Sequence, residues 1–288
     1  MKIAAAAYRM EELPSLEAYA EKLESWVAGA DADLLVFPEY AAMELATITG
    51  RAGDLQAAID AVSELQDEVA AIHVHLAHRY DRYILAASGP VRAGGRTVNR
   101  ARLFGPAGDH VAQDKQIMTR FERETWGISP GGPLEVIETP HATVGILICY
   151  DAEFPLLARA LSEAGADVLL VPSCTDRRQG WSRVRVGAMA RALENQCITV
   201  QAPTVGDCPW CAAVDENYGS AAIYAPPDGA FPDSGILSES LADTPGWARA
   251  EIDMEGLRRV RQTGSQLNAS DWSAQTPRLT ALSRSALG

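Results

Sequence analysis

Thr143-Val144-Gly145-Ile146-Leu147-Ile148-Cys149-Tyr150-Asp151-Ala152-Glu153-Phe154-Pro155 joins an apolar run to a short polar turn and a proline. The run predicts a strand over Thr143–Cys149, buried on both faces. Pro155 suits the first turn of a helix, which the following residues continue to about Ala164. Working outward, strand signals recur at Ile3–Tyr8, Asp33–Phe37, Tyr83–Ser88, Val98–Phe104, Asp167–Pro172, Cys197–Gln201 and Ala221–Tyr224. Helix signals lie between them at Ser15–Gly29, Leu55–Arg79 and Trp181–Glu194, the first with a Ser15 cap and Glu17 in its opening turn. Strands alternating with helices predict an α/β fold whose sheet faces are covered by helices.

Composition narrows the function. The 288 residues carry 25 Lys and Arg against 38 Asp and Glu, a net charge of −13. With no basic cluster, that balance excludes a nucleic-acid or anionic-membrane surface. No apolar run approaches the ~20 residues that cross a bilayer. The Met1–Ala7 stretch imitates a secretory signal, but Arg9, Glu11 and Glu12 cut its apolar segment short, so it is expected to be a first buried strand. Five cysteines, an odd number scattered through a core-forming chain, point to a reducing, cytoplasmic setting rather than a disulfide framework. The length suits one large domain over residues 1–261. Residues 262–288 are polar and aperiodic, and are expected to be a surface arm of that domain.

Three residues stand where apolar strands end. Cys149 closes the quoted run, where a nucleophile projects beyond the sheet and following backbone N–H groups can receive an oxyanion. Glu39 follows Leu34-Leu35-Val36-Phe37-Pro38, and Lys115 sits in Gln113-Asp114-Lys115-Gln116-Ile117. Together they offer a thiol, a base and a cation at the carboxyl ends of strands, where α/β folds bind ligands. Cys208-Pro209-Trp210-Cys211 has redox or zinc spacing, but it lies in a turn-rich segment with no completing ligands and is expected to be a pocket-side loop. His73, His75 and His78 are expected at the surface or an interface. Arg177, Arg178 and Arg183 offer partners for a substrate carboxylate, or are ordinary surface charges at a helix start.

The blocks Leu35-Val36-Phe37-Pro38-Glu39-Tyr40, Asp114-Lys115 through Trp126-Gly127, and Gly145-Ile146-Leu147-Ile148-Cys149-Tyr150-Asp151 resemble the nitrilase, or carbon–nitrogen hydrolase, superfamily. Glu153-Phe154-Pro155, Val171-Pro172-Ser173 and Ala190-Arg191-Ala192-Leu193-Glu194-Asn195-Gln196 extend the likeness in family order. It implies a four-layer α-β-β-α sandwich that forms a homodimer or larger homo-oligomer through helices, with the C-terminal arm contacting the partner. The resemblance also implies catalysis by Glu39, Lys115 and Cys149, with the Tyr150 backbone N–H in the oxyanion site and no metal or organic cofactor. A second glutamate assists in the family: Glu122 and Glu124 both qualify, with Glu122 favoured by its place after an apolar residue. Tyr40, Glu124, Trp126, Glu153, Phe154, Ser173 and Cys174 become candidates for the pocket lining.

Tyr150-Asp151 after the cysteine, in place of Trp-Glu, resembles amidase branches and implies hydrolysis of a small amide. Nitrile and carbamoyl-amide hydrolysis are the enzymatic alternatives. A catalytically silent dimeric scaffold or regulatory subunit is the alternative of another class, disfavoured by the intact Glu, Lys and Cys. The branch most resembled is often fused to an acetyltransferase domain, and a sequence ending at Gly288 is expected to lack one. Specificity is expected to reside in the loops Ala41–Asp54, Arg177–Trp181 and Val205–Gly219.

Overall fold

The computed structural model describes residues 1–280 and 282–287. The first half runs β1 (Lys2–Ala7), α1 (Leu16–Ala30), β2 (Leu34–Val36), α2 (Leu55–Glu64), α3 (Gln66–Tyr80), β3 (Tyr83–Leu85), β4 (Gly89–Ala93), β5 (Arg96–Phe104) and β6 (His110–Asp114). The second half runs β7 (Val136–Glu138), β8 (Thr143–Ile146), α4 (Pro155–Glu163), β9 (Val168–Ser173), α5 (Arg178–Asn195), β10 (Ile198–Pro203) and β11 (Ala222–Tyr224). It closes with β12 (Ile236–Glu239), β13 (Gly246–Glu251), α6 (Met254–Thr263) and α7 (Asn268–Asp271).

These strands build two sheets. One has the order β13-β1-β2-β3-β5-β4 with β6 added on β5; the other has the order β12-β11-β10-β9-β8-β7. Strands β1, β2 and β3 are parallel, as are β8, β9 and β10, and the outer strands of both sheets pair antiparallel. Period-two alternation explains the stacking. From β1, Ile3, Ala5 and Ala7 enter the core between the sheets, whereas Ala4, Ala6 and Tyr8 face the helical side. The alanines of β1 keep both contacts close. Helices α1, α2 and α3 bury their apolar stripes on the outer face of the first sheet, and α4 and α5 cover the second. The result is a four-layer α-β-β-α sandwich.

Local differences from the sequence reading have physical causes. The helix expected over Leu55–Arg79 is two helices broken at Leu65, whose φ of −89° and ψ of 6° end α2 and begin α3 without glycine or proline. Strand β8 stops at Ile146, and Cys149 opens a separate 3₁₀ turn over Cys149–Glu153. His73 is not a surface histidine. It is buried, stacks on Phe104 with centroids 5.1 Å apart, and shares a hydrogen bond with the Val69 carbonyl. Burial pushes its pKa down to about 4, so it is neutral at physiological pH. His75 and His78 are exposed. Among the described residues the C-terminal arm is mostly exposed but anchored: the Gln196 side chain donates to the Gln266 carbonyl and accepts from the Ala269 N–H.

Helix α5 backs the turn that carries Cys149. Arg191 donates to the Ala152 carbonyl at 3.1 Å, and a Cβ at Gly187 would stand 2.9 Å from that same oxygen. Glycine is therefore required for this approach. Gly187→Ala should lower stability by about 1–3 kcal/mol, the usual cost of overpacking, despite alanine's better helix propensity. Urea unfolding measures it, and an unchanged midpoint would show that the turn yields without cost.

Candidate active site

Glu39, Lys115, Glu122 and Cys149 come from four separate segments and meet in one cavity of about 660 Å³. Glu39 follows β2, where the Phe37 N–H still pairs with the Leu85 carbonyl and Pro38 ends the ladder. Lys115 follows β6, its N–H bonded to the Asn99 carbonyl. Glu122 opens a single π turn over Glu122–Trp126. Cys149 has φ of +52° and Tyr40, next to Glu39, has φ of +54°. Left-handed backbone is uncommon in non-glycine residues. Asp31, Asp81 and Gln196 adopt it as helix C-caps, but Tyr40 and Cys149 adopt it beside the reacting groups, where the fold imposes the strain.

The polar centre is buried and densely hydrogen-bonded. Lys115 and Glu39 are each 1% exposed and Glu122 3%. The Lys115 ammonium donates to Glu39 Oε1 at 2.7 Å and to Glu122 Oε1 and Oε2 at 2.8 and 2.7 Å. Glu122 also accepts from the Tyr40 hydroxyl at 2.7 Å and from the Thr119 N–H and hydroxyl, both at 2.8 Å. Glu39 Oε1 accepts from Asn99 Nδ2 at 2.9 Å, and Oε2 from the Cys174 N–H at 3.0 Å. The Cys149 sulfur lies 3.9 Å from the Cys174 carbonyl, and Cys149 and Glu39 perturb each other's titration.

Environment separates the two carboxylates. Burial raises the Glu39 pKa to about 7, against the pull of Lys115 and with help from the Glu122 charge. Burial also acts on Glu122, but Lys115, Tyr40 and Thr119 outweigh it and hold its pKa below the usual glutamate range. Lys115 is penalised by burial, yet its two carboxylates more than compensate and raise its pKa. Burial and the Glu39 charge push the Cys149 thiol well above its ordinary value, with Lys115 opposing them. The resting site thus holds a neutral thiol, a fixed ammonium, a fixed carboxylate and a carboxylate that titrates near neutrality.

Tyr40, Trp126, Tyr150, Glu153 and Cys174 line the cavity. Three other candidates do not. Glu124 turns outward to pair with Arg120 at 2.8 Å, so Glu122 is the glutamate that meets Lys115. Phe154 packs edge-on against Tyr150, and Ser173 is buried in β9 with its hydroxyl on the Ala202 carbonyl. Arg183 does reach the cavity, held by Glu153 at 2.7 Å, whereas Arg177 sits 3.7 Å from Asp176 and Glu216 at the surface. Cys208 and Cys211 are buried behind Ala212–Glu216, which forms one cavity wall. Asn99 was not singled out from the sequence. Its signal was an amide inside a strand, where asparagine is disfavoured unless something binds it.

The carbon–nitrogen hydrolase family matches residues 2–262. The chain belongs to that family. It is 35% identical over 275 residues to the probable hydrolase YhcX of Bacillus subtilis, covering 94% of this chain and 53% of that protein. The chain thus spans about half the length of this relative. It is 30% identical over 200 residues to a deaminated glutathione amidase of Synechocystis, covering 65% of this chain and 70% of that one. Saccharomyces cerevisiae Nit3, a member of branch 10 of the nitrilase superfamily, superposes with a TM-score of 0.70 at 20% identity, covering 91% of this chain and 93% of that one. That likeness is one of fold. No helix among the described residues is long and apolar enough to cross a membrane.

A base must be ionised in the free enzyme to act. With Glu39 near 7, kcat/KM on an amide or activated ester should rise with pH through about 7 and then level off, because Lys115 stays charged well beyond that range. Glu39→Gln should remove this limb and lower the plateau. A wild-type profile flat from about pH 5 to 9 would contradict the assignment.

Proposed function

We propose that this chain hydrolyses a carboxamide C–N bond through a thioester on Cys149. The observation that carries the reading is one cavity with a buried thiol, a buried ion-paired lysine and a buried glutamate raised to about 7 at its base. The thiol proton passes to Glu39 as the sulfur attacks the carbonyl carbon. Lys115 and the Tyr150 backbone N–H receive the oxyanion. The C–N bond then breaks, the proton on Glu39 goes to the leaving nitrogen, and ammonia or an amine departs. Water attacks the thioester, gives a proton to Glu39, and the collapse releases the acid and restores the thiol. Glu122 keeps Lys115 charged and aimed. Every proton in these steps moves between the thiol, Glu39, water and the leaving nitrogen.

The Synechocystis relative carries the name of an amidase, which supports an amide over a nitrile as substrate. Free cysteines and the buried thiol nucleophile suit a reducing, cytoplasmic setting. We extend the proposal to self-association. Leu156 on α4 and Val186 and Leu193 on α5 are exposed on the helical layer that faces away from the second sheet, and Val186 and Leu193 are two helical turns apart. A homodimer formed through that layer, with the adjacent arm at its edge, covers them.

Ammonia release from a panel of small amides, carbamoyl amides and nitriles tests the chemistry. Amides should be turned over and Cys149→Ala should be inactive with its fold intact; release from nitriles alone, or activity surviving in Cys149→Ala, would refute it. Light scattering tests assembly: the mass at micromolar concentration should be about twice the 30.9 kDa of one chain, and the monomer mass would refute it.

A further inference from the structure

Asp151 is buried, ionisable and unused in the scheme above, and it does not line the cavity. Its carboxylate nonetheless touches the backbone on both sides of the reacting groups. Oδ1 accepts the Ile117 N–H at 2.8 Å, and the Gln116 N–H lies between both oxygens at 3.1 and 3.2 Å. Oδ2 accepts the Ile148 N–H at 3.2 Å. Gln116 directly follows Lys115, and Ile148 directly precedes Cys149. These two segments leave different sheets, β6 in the first and β8 in the second. One carboxylate therefore clips the lysine strand end to the cysteine strand end.

We infer that Asp151 is a positioning residue that sets the separation of the Lys115 ammonium and the Cys149 turn. The inference rests on the thioester reading. Three N–H donors converge on two oxygens, so the site demands an acceptor on both sides of the group. Burial raises the Asp151 pKa to about 6, while Lys115 and the three N–H groups oppose it, which leaves a carboxylate at neutral pH. An asparagine would turn an NH₂ donor toward at least one backbone N–H, and one of the two segments would lose its hold. Asp151 is also tied to the cysteine turn by its own backbone, its N–H donating to the Ile148 carbonyl at 3.1 Å. Releasing the carboxylate consequently frees the lysine segment from the turn without dissolving the turn itself. The lost quantity is alignment of the oxyanion donors with the sulfur.

The test is acylation per titrated thiol. Wild type, D151N and D151E are mixed with a p-nitrophenyl ester well below their melting temperatures, active sites are counted from the burst, and the acylation constant, kcat and KM are compared. D151E keeps the charge but moves the oxygens by one methylene. Both variants should acylate at least about tenfold more slowly per site with KM changed less than about twofold, as expected when geometry at the reacting centre is lost. Acylation per site within about twofold of wild type in either variant would overturn the inference, whatever happens to stability. Failure of both variants to fold would overturn it as well, because it would place the contribution of Asp151 in the fold and not in alignment. Wild-type protein that forms no acyl-enzyme would instead refute the thioester reading.

Discussion

Everything in the site depends on a buried ammonium. Lys115 is among the largest fully buried side chains of the protein, and its charge survives there only because Glu39 and Glu122 both reach it within 2.8 Å. Removing one partner from such a group leaves an uncompensated buried charge, costing about 3–5 kcal/mol. The two carboxylates are not equivalent. Glu122 takes two bonds from Lys115 and three from Tyr40 and Thr119 and stays ionised. Glu39 takes one from Lys115 and two from Asn99 and the Cys174 N–H, too few to offset its burial, so it can take a proton. One carboxylate keeps the lysine charged so that the other can be chemically active.

The fold supplies this centre at the seam between its two sheets. Glu39 and Lys115 leave the first sheet; Cys149 and Cys174 leave the second. Side-chain oxygens then cross the seam, from Glu39 to the Cys174 N–H and from Asp151 to the Gln116 and Ile117 N–H groups. Left-handed backbone at Tyr40 and Cys149 turns both segments sharply as they leave their strands. Such strain is held by what surrounds it, here the packing of α5 against the Ala152 carbonyl and the bond from the Tyr40 N–H to the Ser88 hydroxyl.

The order of strands and helices was legible wherever burial leaves an apolar run. Lys2–Ala7, Leu34–Val36, Thr143–Ile146 and Val168–Ser173 are buried almost throughout and announce themselves. Strands β4, β6, β7, β12 and β13 went unread, because edge or half-exposed segments such as His110–Asp114 and Gly246–Glu251 carry charges and gain their form from a neighbour. The break at Leu65 left no trace, having neither glycine nor proline. Within the site, residues named by chemistry came together, while Ser173 and Phe154 were misplaced because sequence adjacency to a motif does not say which face a side chain takes. The backbone N–H of Cys174 and the amide of Asn99 escaped for a related reason: their contacts with Glu39 span 135 and 60 residues.

The arrangement also keeps the buried charge constant. At rest, above the pKa of Glu39, the centre holds Glu39⁻, Glu122⁻, Lys115⁺ and a neutral thiol, for a net charge of −1. In the proposed reaction, as the thiol proton moves to Glu39, the negative charge passes to the sulfur and then to the carbonyl oxygen, while Glu122 and Lys115 keep theirs. The total is still −1. In a low-dielectric cavity, creating one more charge would carry a large penalty, whereas moving one over a few ångströms past a fixed ammonium does not. This explains why the thiol pKa can lie well above its ordinary value without forbidding the reaction. A free thiolate beside Glu39⁻ would raise the count to −2, and the site resists that state; a thiolate formed as Glu39 is neutralised never requires it. The elevated Glu39 and thiol pKa values share one leading cause, burial: ionising Glu39 takes the centre from 0 to −1, and ionising the thiol beside Glu39⁻ would take it to −2.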